Sequence, residues 1–378
     1  MLSSPIRLHI YQVHRLLWSS MFTSYARIHF ALLLLLSSCL AGCNNSGSSD
    51  SADSSSGKTN FITLGTAKPA GAFNPVGNAI ATVLNEHKGD QNWKVQAPGT
   101  KGSRENIRQL DKGKFQLGMS NSAISYNAVA GTGGWDKKYN IRTVVTIAPN
   151  IGLFITKKES GIKTIGDLKG KRVAVGPAGA GFEMFLGPLL TAHGVTYTDE
   201  TQDFTPINAN YSDAVQQLGD GTIDAAFVGG AIPTAAVTQA CTSYDVHFVG
   251  YDSAAREKLI ADYDFFQPAN IPAQNRDGKP TYRGMGQEDF PAMNVGSMQL
   301  ITHEDIDEET VYQMTKRIWE HRAQIASIHK AGNAINEKNA TRFTGTPFHP
   351  GAIRFYKEAG IWPGSEAADE TPSEGDSE

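Results

Sequence analysis

The stretch Lys171–Gly194 (KRVAVGPAGAGFEMFLGPLLTAHG) constrains the fold most. Arg172 to Val175 is a short apolar run of strand type, and Gly176, Gly179 and Gly181 follow at once. Glycines there let the backbone turn sharply and come close to a ligand. Phe182, Phe185, Leu186, Leu189 and Leu190 then recur at helical spacing, and Gly194 is placed to end that helix. A strand, a glycine loop and a helix start in succession collect free N–H groups at one point. The helix dipole adds partial positive charge there, which suits a carboxylate or a phosphate. An ordinary tight βα turn shows the same pattern.

A related pattern stands earlier in the chain. Phe61–Thr66 alternates like a strand, a loop runs through Ala67–Phe73, and Asn74-Pro75 opens a helix with Val76, Ile80, Val83 and Leu84 on one face. Trp93–Ala97 is the second strand, Thr100–Ser103 a turn, Ser103–Leu110 a helix, and Phe115–Met119 the third strand. The order β-α-β-α-β predicts a parallel sheet with its ligand edge at the strand carboxyl ends. After two strand-like runs in Ile141–Thr156 and a short helix in Ile162–Gly170, the order repeats. Arg172–Val175, the Phe182 helix, the Tyr211–Leu218 helix and the Ala225–Val228 strand carry the repeat. Further on, Ala254–Ile260 is helical, Pro268–Gly286 polar and loop-like, and Ala292–Ile301 contains a strand. Glu308–Ser327 is one long amphipathic helix, and a short helix in Pro347–Trp362 ends the folded part. At 378 residues the chain fits two lobes rather than one core. The expected division is 59–150 with 250–363 for the first lobe and 151–249 for the second.

The N-terminus reads as a targeting segment. Arg27 precedes the apolar run Ala31–Leu36, and Leu40-Ala41-Gly42-Cys43 closes it with small residues before a cysteine. The run is too short to span a membrane. It resembles a bacterial lipoprotein signal, which implies cleavage before Cys43 and lipidation of its thiol. Met21 would start a more compact leader. Removing residues 1–42 takes away Arg7, Arg15 and Arg27 and no acid, which moves the formal net charge from −4 to −7. That balance argues against nucleic acid as a main partner. Cys39 leaves with the leader, so Cys241 is the one free thiol and no internal disulfide is expected. Residues 43–58 are a Ser/Gly/Asp tether with a reach of roughly 20 Å, and 364–378 an acidic disordered tail.

No HExxH, GxSxG or P-loop occurs, GPAGAG is not GxGxxG, and the histidines are scattered. Neither an enzyme, a metal site nor a cofactor is expected. Asn74 is either a helix N-cap or a ligand amide, and Ser103 and Asn106 carry the same ambiguity. Lys68 either pairs with a ligand carboxylate or lies in solvent. Ser120, Asn121 and Ser122 follow a strand's carboxyl end, where ligands bind. Tyr126 either faces the cleft or sits in the core. Gly229, Gly230 and Ala231 follow the last strand of the second lobe and edge the cleft.

Several segments together resemble the TAXI-type solute-binding proteins, the extracytoplasmic receptors of one class of TRAP transporter. In the first lobe they are Gly65-Thr66 with Phe73–Gly77, Gly102–Asn106 and Leu117–Ser122. In the second they are Ser160–Thr164, Asp167–Lys171, Gly176–Gly179 and Asp220-Gly221 with Ile223–Phe227. His349–Ala352 with Tyr356–Glu358 completes the set. The resemblance implies an α/β, two-lobed type II periplasmic-binding fold with a ligand cleft between the lobes. It implies a small carboxylate ligand such as glutamate, glutamine or a 2-oxo acid, and a TRAP membrane component as partner. A lipid-anchored periplasmic monomer is expected. The implied contacts are Gly71, Ala72, Phe73, Asn74, Gly102, Ser103, Asn106, Ser120, Asn121, Ser122 and Tyr126. From the second lobe come Gly176, Ala178, Gly179, Ala180, Gly181, Phe182, Gly229, Gly230 and Ala231. The family's first-lobe loop is usually glycine- and threonine-rich with a tyrosine pair, where this chain has Ala67–Ala72, Phe73 and Asn74. Ala180 and Phe182 stand where the family carries hydroxyls, so the expected pocket loses donors and gains an apolar ring. A signalling receptor, or an enzyme such as a small dehydratase, on the same fold are the alternative readings.

Overall fold

The computed structural model describes residues 59–363, apart from 69, 70, 199 and 276. The leader, Cys43, the tether and the acidic tail lie outside the described residues. Among the described residues no helix is long and apolar enough to cross a membrane.

The first lobe begins as its sequence pattern predicts. Strand β1 (Asn60–Gly65) is followed by α1 (Phe73–Glu86), β2 (Trp93–Gln96), α2 (Ser103–Asp111), β3 (Leu117–Asn121) and α3 (Ser122–Ala130). β1 lies between β2 and β3 and pairs with both in parallel. The predicted stripe of α1, Val76, Ile80, Val83 and Leu84, is wholly buried. At about 1.5–3 kcal/mol per buried aliphatic side chain, that stripe fixes α1 on the sheet. Strand β4 (Ile141–Thr146) lies at the far side of this five-stranded sheet. Between β3 and β4 runs β12 (Met298–His303), antiparallel to both, so a strand from late in the chain completes the first lobe.

The second lobe starts with β5 (Ile151–Lys157). Then come β6 (Arg172–Ala174), α4 (Glu183–Ala192), β7 (Thr205–Ile207), α5 (Tyr211–Asp220), β8 (Ala225–Val228), α6 (Ala235–Ser243) and β9 (Val246–Val249). β6 pairs in parallel with β7 and β8, while β5 runs antiparallel between β8 and β9. Helix α7 (Ser253–Asp262), β10 (Phe266–Ile271) and β11 (Phe290–Val295) follow.

Here the structure corrects the expected division. β11 pairs with β5 (Met293 opposite Gly152, Asn294 opposite Ile151), and β10 pairs along all of β11. Leu259, Phe265, Phe266, Met293 and Val295 bury themselves in one core with Phe154 and Phe185. Residues 250–295 therefore belong with the second sheet, and the return to the first lobe falls at Gly296-Ser297. Of the stretch read as a loop, Pro268–Gly286, the first residues Pro268–Ile271 are strand because their partner, β11, supplies the pairing. The long helix expected over Glu308–Ser327 is two, α8 (Glu308–Glu320) and α9 (Arg322–Ile328), broken at His321. Helix α10 (Pro350–Glu358) packs against α8 and is the last element among the described residues.

Two crossings join the lobes, Ile147–Asn150 and Gly296-Ser297. The residues flanking the second hydrogen-bond to the first: Val295 N donates to Asn150 O at 2.9 Å, and Met298 N to Ala148 O at 2.8 Å. The strand order β2-β1-β3-β12-β4, with the returning strand inserted antiparallel, is the two-lobed type II arrangement.

Candidate functional site

The carboxyl ends of β1, β2 and β3 form one edge, and those of β6, β7 and β8 the other. On the first edge, Gly71 is exposed, and Ala72 and Phe73 are half-buried. Asn74 is not the cap of α1; Ala72 holds that position, with no side-chain cap. The Asn74 amide instead donates to Thr66 Oγ1 and Ala67 O, both at 3.2 Å, and so braces the loop that precedes it. Asn106 is fully buried. Its Nδ2 donates to Gly65 O, Thr66 O and Met119 O, and its Oδ1 accepts from Thr100 Oγ1 at 2.8 Å. With its amide spent on the ends of β1 and β3, Asn106 shapes the edge without facing a solute. Gly102 (φ +110) caps α2, and Ser103 Oγ accepts from Asn121 N at 3.0 Å.

Ser120 and Asn121 are the last residues of β3 rather than a loop beyond it. Ser120 Oγ donates to Asn121 O and accepts from Ser125 Oγ. Asn121 caps α3 by accepting from Ala123 N at 2.8 Å, and its Nδ2 donates to Gly296 O at 2.9 Å. This asparagine thus ties the first-lobe edge to the second crossing. Ser122 is fully buried and its hydroxyl has no partner among the described residues. The half-buried Tyr126 ring stands edge-on to Phe265, 5.2 Å between centroids, and against Gly345. Burial pushes its pKa up, and nearby Asp264 adds to the shift.

On the second edge, Gly176 sits under the Phe182 ring. That ring packs with Phe185, Tyr211 and Phe227, so the apolar ring expected in the pocket belongs to the core. Ala178 and Gly179 are exposed, whereas Ala180 and Gly181 are buried. A Cβ on Gly181 would stand 2.9 Å from Ile124 of α3, so this loop touches the opposite lobe. Helix α4 already carries Glu183 in its first turn, and Glu183 Oε1 pairs with Arg104 Nη1 of α2 at 2.7 Å. The first turn where the sequence pattern suggested an anionic ligand thus already carries a carboxylate, and that carboxylate is paired with Arg104. Gly229 is packed so closely that a Cβ would lie 2.6 Å from Asn150 Oδ1 and 3.0 Å from the Tyr211 hydroxyl. Gly230 O accepts from Ile151 N, and Ala231 O from Thr234 Oγ1.

Sequence reasoning passed over Asn150 and Tyr211, which join Gly229 at the second edge. It also passed over Gln299, Arg342, Thr344 and Thr346. These lie beyond residue 250, where no glycine loop marks a strand end. Gln299 pairs with Ser120 and Thr146 across β12, at the same edge as β3's end. Its Nε2 donates to Thr344 Oγ1 at 2.8 Å and Thr143 Oγ1 at 3.2 Å, while its Oε1 and Thr346 Oγ1 have no partner among the described residues. A separate cavity of about 350 Å³ between Gly133 and Glu183, Tyr197 and Asn208 is lined by none of the expected contact residues.

The side chains placed at the two edges are mainly amides and hydroxyls. Among the described residues no three His, Cys, Asp or Glu side chains are placed to hold a metal ion. Cys241 is buried, and burial pushes its thiol up to about 11. Amides, hydroxyls and backbone groups from two facing edges can surround a small polar molecule and exclude water from it.

Known structures of similar fold include a Xanthomonas citri protein with ATP bound (11% identity, 80% of this chain and 97% of that one, TM-score 0.47). The binding component of a Pseudomonas aeruginosa ABC phosphonate transporter is another (10%, 74% and 81%, TM-score 0.46). The periplasmic aliphatic sulphonate-binding protein of Escherichia coli is a third (14%, 81% and 80%, TM-score 0.41). In sequence, residues 64–360 match the NMT1-like family, from the end of β1 to the end of α10. With both lobes and both crossings inside that match, the chain belongs to the NMT1-like family.

Proposed function

We propose that the chain is an extracytoplasmic solute receptor that captures a small carboxylate between its lobes and delivers it to a membrane transporter. The observation that carries this reading is the meeting of the two strand-end edges. Gly181 abuts Ile124, Arg104 pairs with Glu183, and Tyr126 lies between Gly345 and Phe265. Only two short crossings join these lobes, so a solute bound by both edges would hold them together. The loops at 71–74, 99–103, 176–182 and 229–231 edge that space. The resemblance to TAXI-type receptors supports a TRAP membrane component as partner, and Leu40–Cys43 supports a lipid anchor beside it.

A thermal-shift screen of amino acids, 2-oxo acids and other small carboxylates tests the reading. A ligand at a hundred times its Kd stabilises by about 2.7 kcal/mol, a shift of a few degrees for a chain of this size. The hit is expected to compact the protein in X-ray scattering. Absence of any shift across the carboxylates refutes the ligand class, and turnover of a hit refutes the receptor role.

A further inference from the structure

We infer that Arg342 is the anion anchor of the interlobe site; this rests on the receptor reading above and names the group that would hold the solute's carboxylate. Arg342 lies in the segment that runs beside β4, where Thr143 N donates to Pro347 O and Thr146 Oγ1 donates to Arg342 O. Its own guanidinium reaches across to the second lobe: Nη1 donates to Gln267 Oε1 of β10 at 3.0 Å. A marginal contact at 3.5 Å joins Nη2 to Lys338 O. Arg342 is therefore a cation placed where both lobes meet.

It is also a cation without a counter-charge among the described residues. Among the described residues no carboxylate pairs with it, and its half-buried guanidinium is shifted by desolvation alone. The other arginine that reaches across the lobes, Arg104, has Glu183 as its partner. Taking a guanidinium out of water without an anion is costly, and the fold relieves that cost only by neutral oxygens. A solute carboxylate would supply the missing charge through the bidentate geometry that guanidinium favours. Thr146, whose Oγ1 donates to Arg342 O, also lies 3.5 Å from Gln299 Nε2, and Gln299 Oε1 and Thr346 Oγ1 are buried with no hydrogen-bond partner among the described residues. The helix start of α4, by contrast, already holds Glu183.

The test is calorimetric titration of the wild type, Arg342→Gln, Arg342→Lys and Gln267→Leu. The probes are L-glutamate, 2-oxoglutarate, the diamide of glutamate, which has no carboxylate, and inorganic phosphate. Circular dichroism checks the fold of each variant. For whichever carboxylate binds the wild type, Arg342→Gln is expected to weaken binding by at least about thirtyfold, as for removal of one partner of a desolvated charge pair. Arg342→Lys is expected to recover part of the loss, and the diamide to bind weakly to all four proteins. Gln267→Leu, which keeps the charge, is expected to bind within a few-fold of wild type. Equal carboxylate binding by wild type and folded Arg342→Gln overturns the inference and leaves the receptor reading intact. A loss in Gln267→Leu as large as in Arg342→Gln also overturns it, because Arg342 would then act only by joining the lobes. A wild type that binds phosphate and no carboxylate keeps Arg342 as an anion anchor if Arg342→Gln abolishes phosphate binding, and refutes the carboxylate class. A wild type that binds none of the anions overturns both readings.

Discussion

Replacing Gly296 by alanine probes the second crossing directly. Gly296 has φ +117, a conformation that L residues rarely adopt. Occupying such a region costs about 1–3 kcal/mol. The new Cβ would also stand 2.1 Å from Asn121 Oδ1. That oxygen cannot retreat freely, because it accepts from Ala123 N at 2.8 Å as the cap of α3. Displacing a cap costs about 0.5–2 kcal/mol. Gly296→Ala is thus expected to destabilise by about 2–5 kcal/mol, measured by urea unfolding. The two components separate in a double-mutant cycle. In an Asn121→Ala background the steric clash is gone, and Gly296→Ala costs only the backbone part, leaving a coupling of about 1 kcal/mol or more. Strict additivity, or a Gly296→Ala protein within about 0.5 kcal/mol of wild type, refutes the argument that Asn121 locks the crossing.

Three further outcomes are expected. Cys43→Ser moves the protein from the membrane to the soluble fraction; a wild type already soluble with a free N-terminus refutes the lipid anchor. His193 Nδ1 bonds Leu189 O at 2.8 Å and its Nε2 accepts from Asp252 N at 3.1 Å, which holds the ring neutral, and burial lowers its pKa from 6.5. Its stabilising contribution is therefore complete above pH 6.5 and is lost as pH falls through the lowered folded value, so urea midpoints drop on acidification, less in His193→Asn than in wild type. Cys241, with its thiol pushed up to about 11 on the buried face of α6, reacts with a thiol reagent at pH 8 only as fast as the protein opens; rapid labelling of the native protein contradicts that.

Local patterns in the chain were sufficient for the α/β class and for most of the parallel strands. The apolar stripe of α1 and the glycine turn after β6 are encoded within a few residues of one another, so spacing reveals them. The division of the lobes was not legible in the same way. β10 and β11 join the second sheet only because β11 finds β5 more than a hundred residues earlier, and a long-range pairing leaves no periodic trace. The same limit governs the site. Asn74, Asn106 and Asn121 have the residue types of ligand contacts, yet tertiary packing commits their side chains to loop ends, strand ends and the second crossing. Phe182 stands in the glycine loop by sequence and in the aromatic core by packing. Arg342 shows no motif at all: its meaning comes from the second-lobe glutamine it touches and from the carboxylate it lacks. Sequence by itself determined which segments turn, extend or coil, because those choices are settled by neighbours in the chain. Only the tertiary structure decided which polar groups are already satisfied and which remain open to a solute, because their partners come from the other lobe and from distant strands.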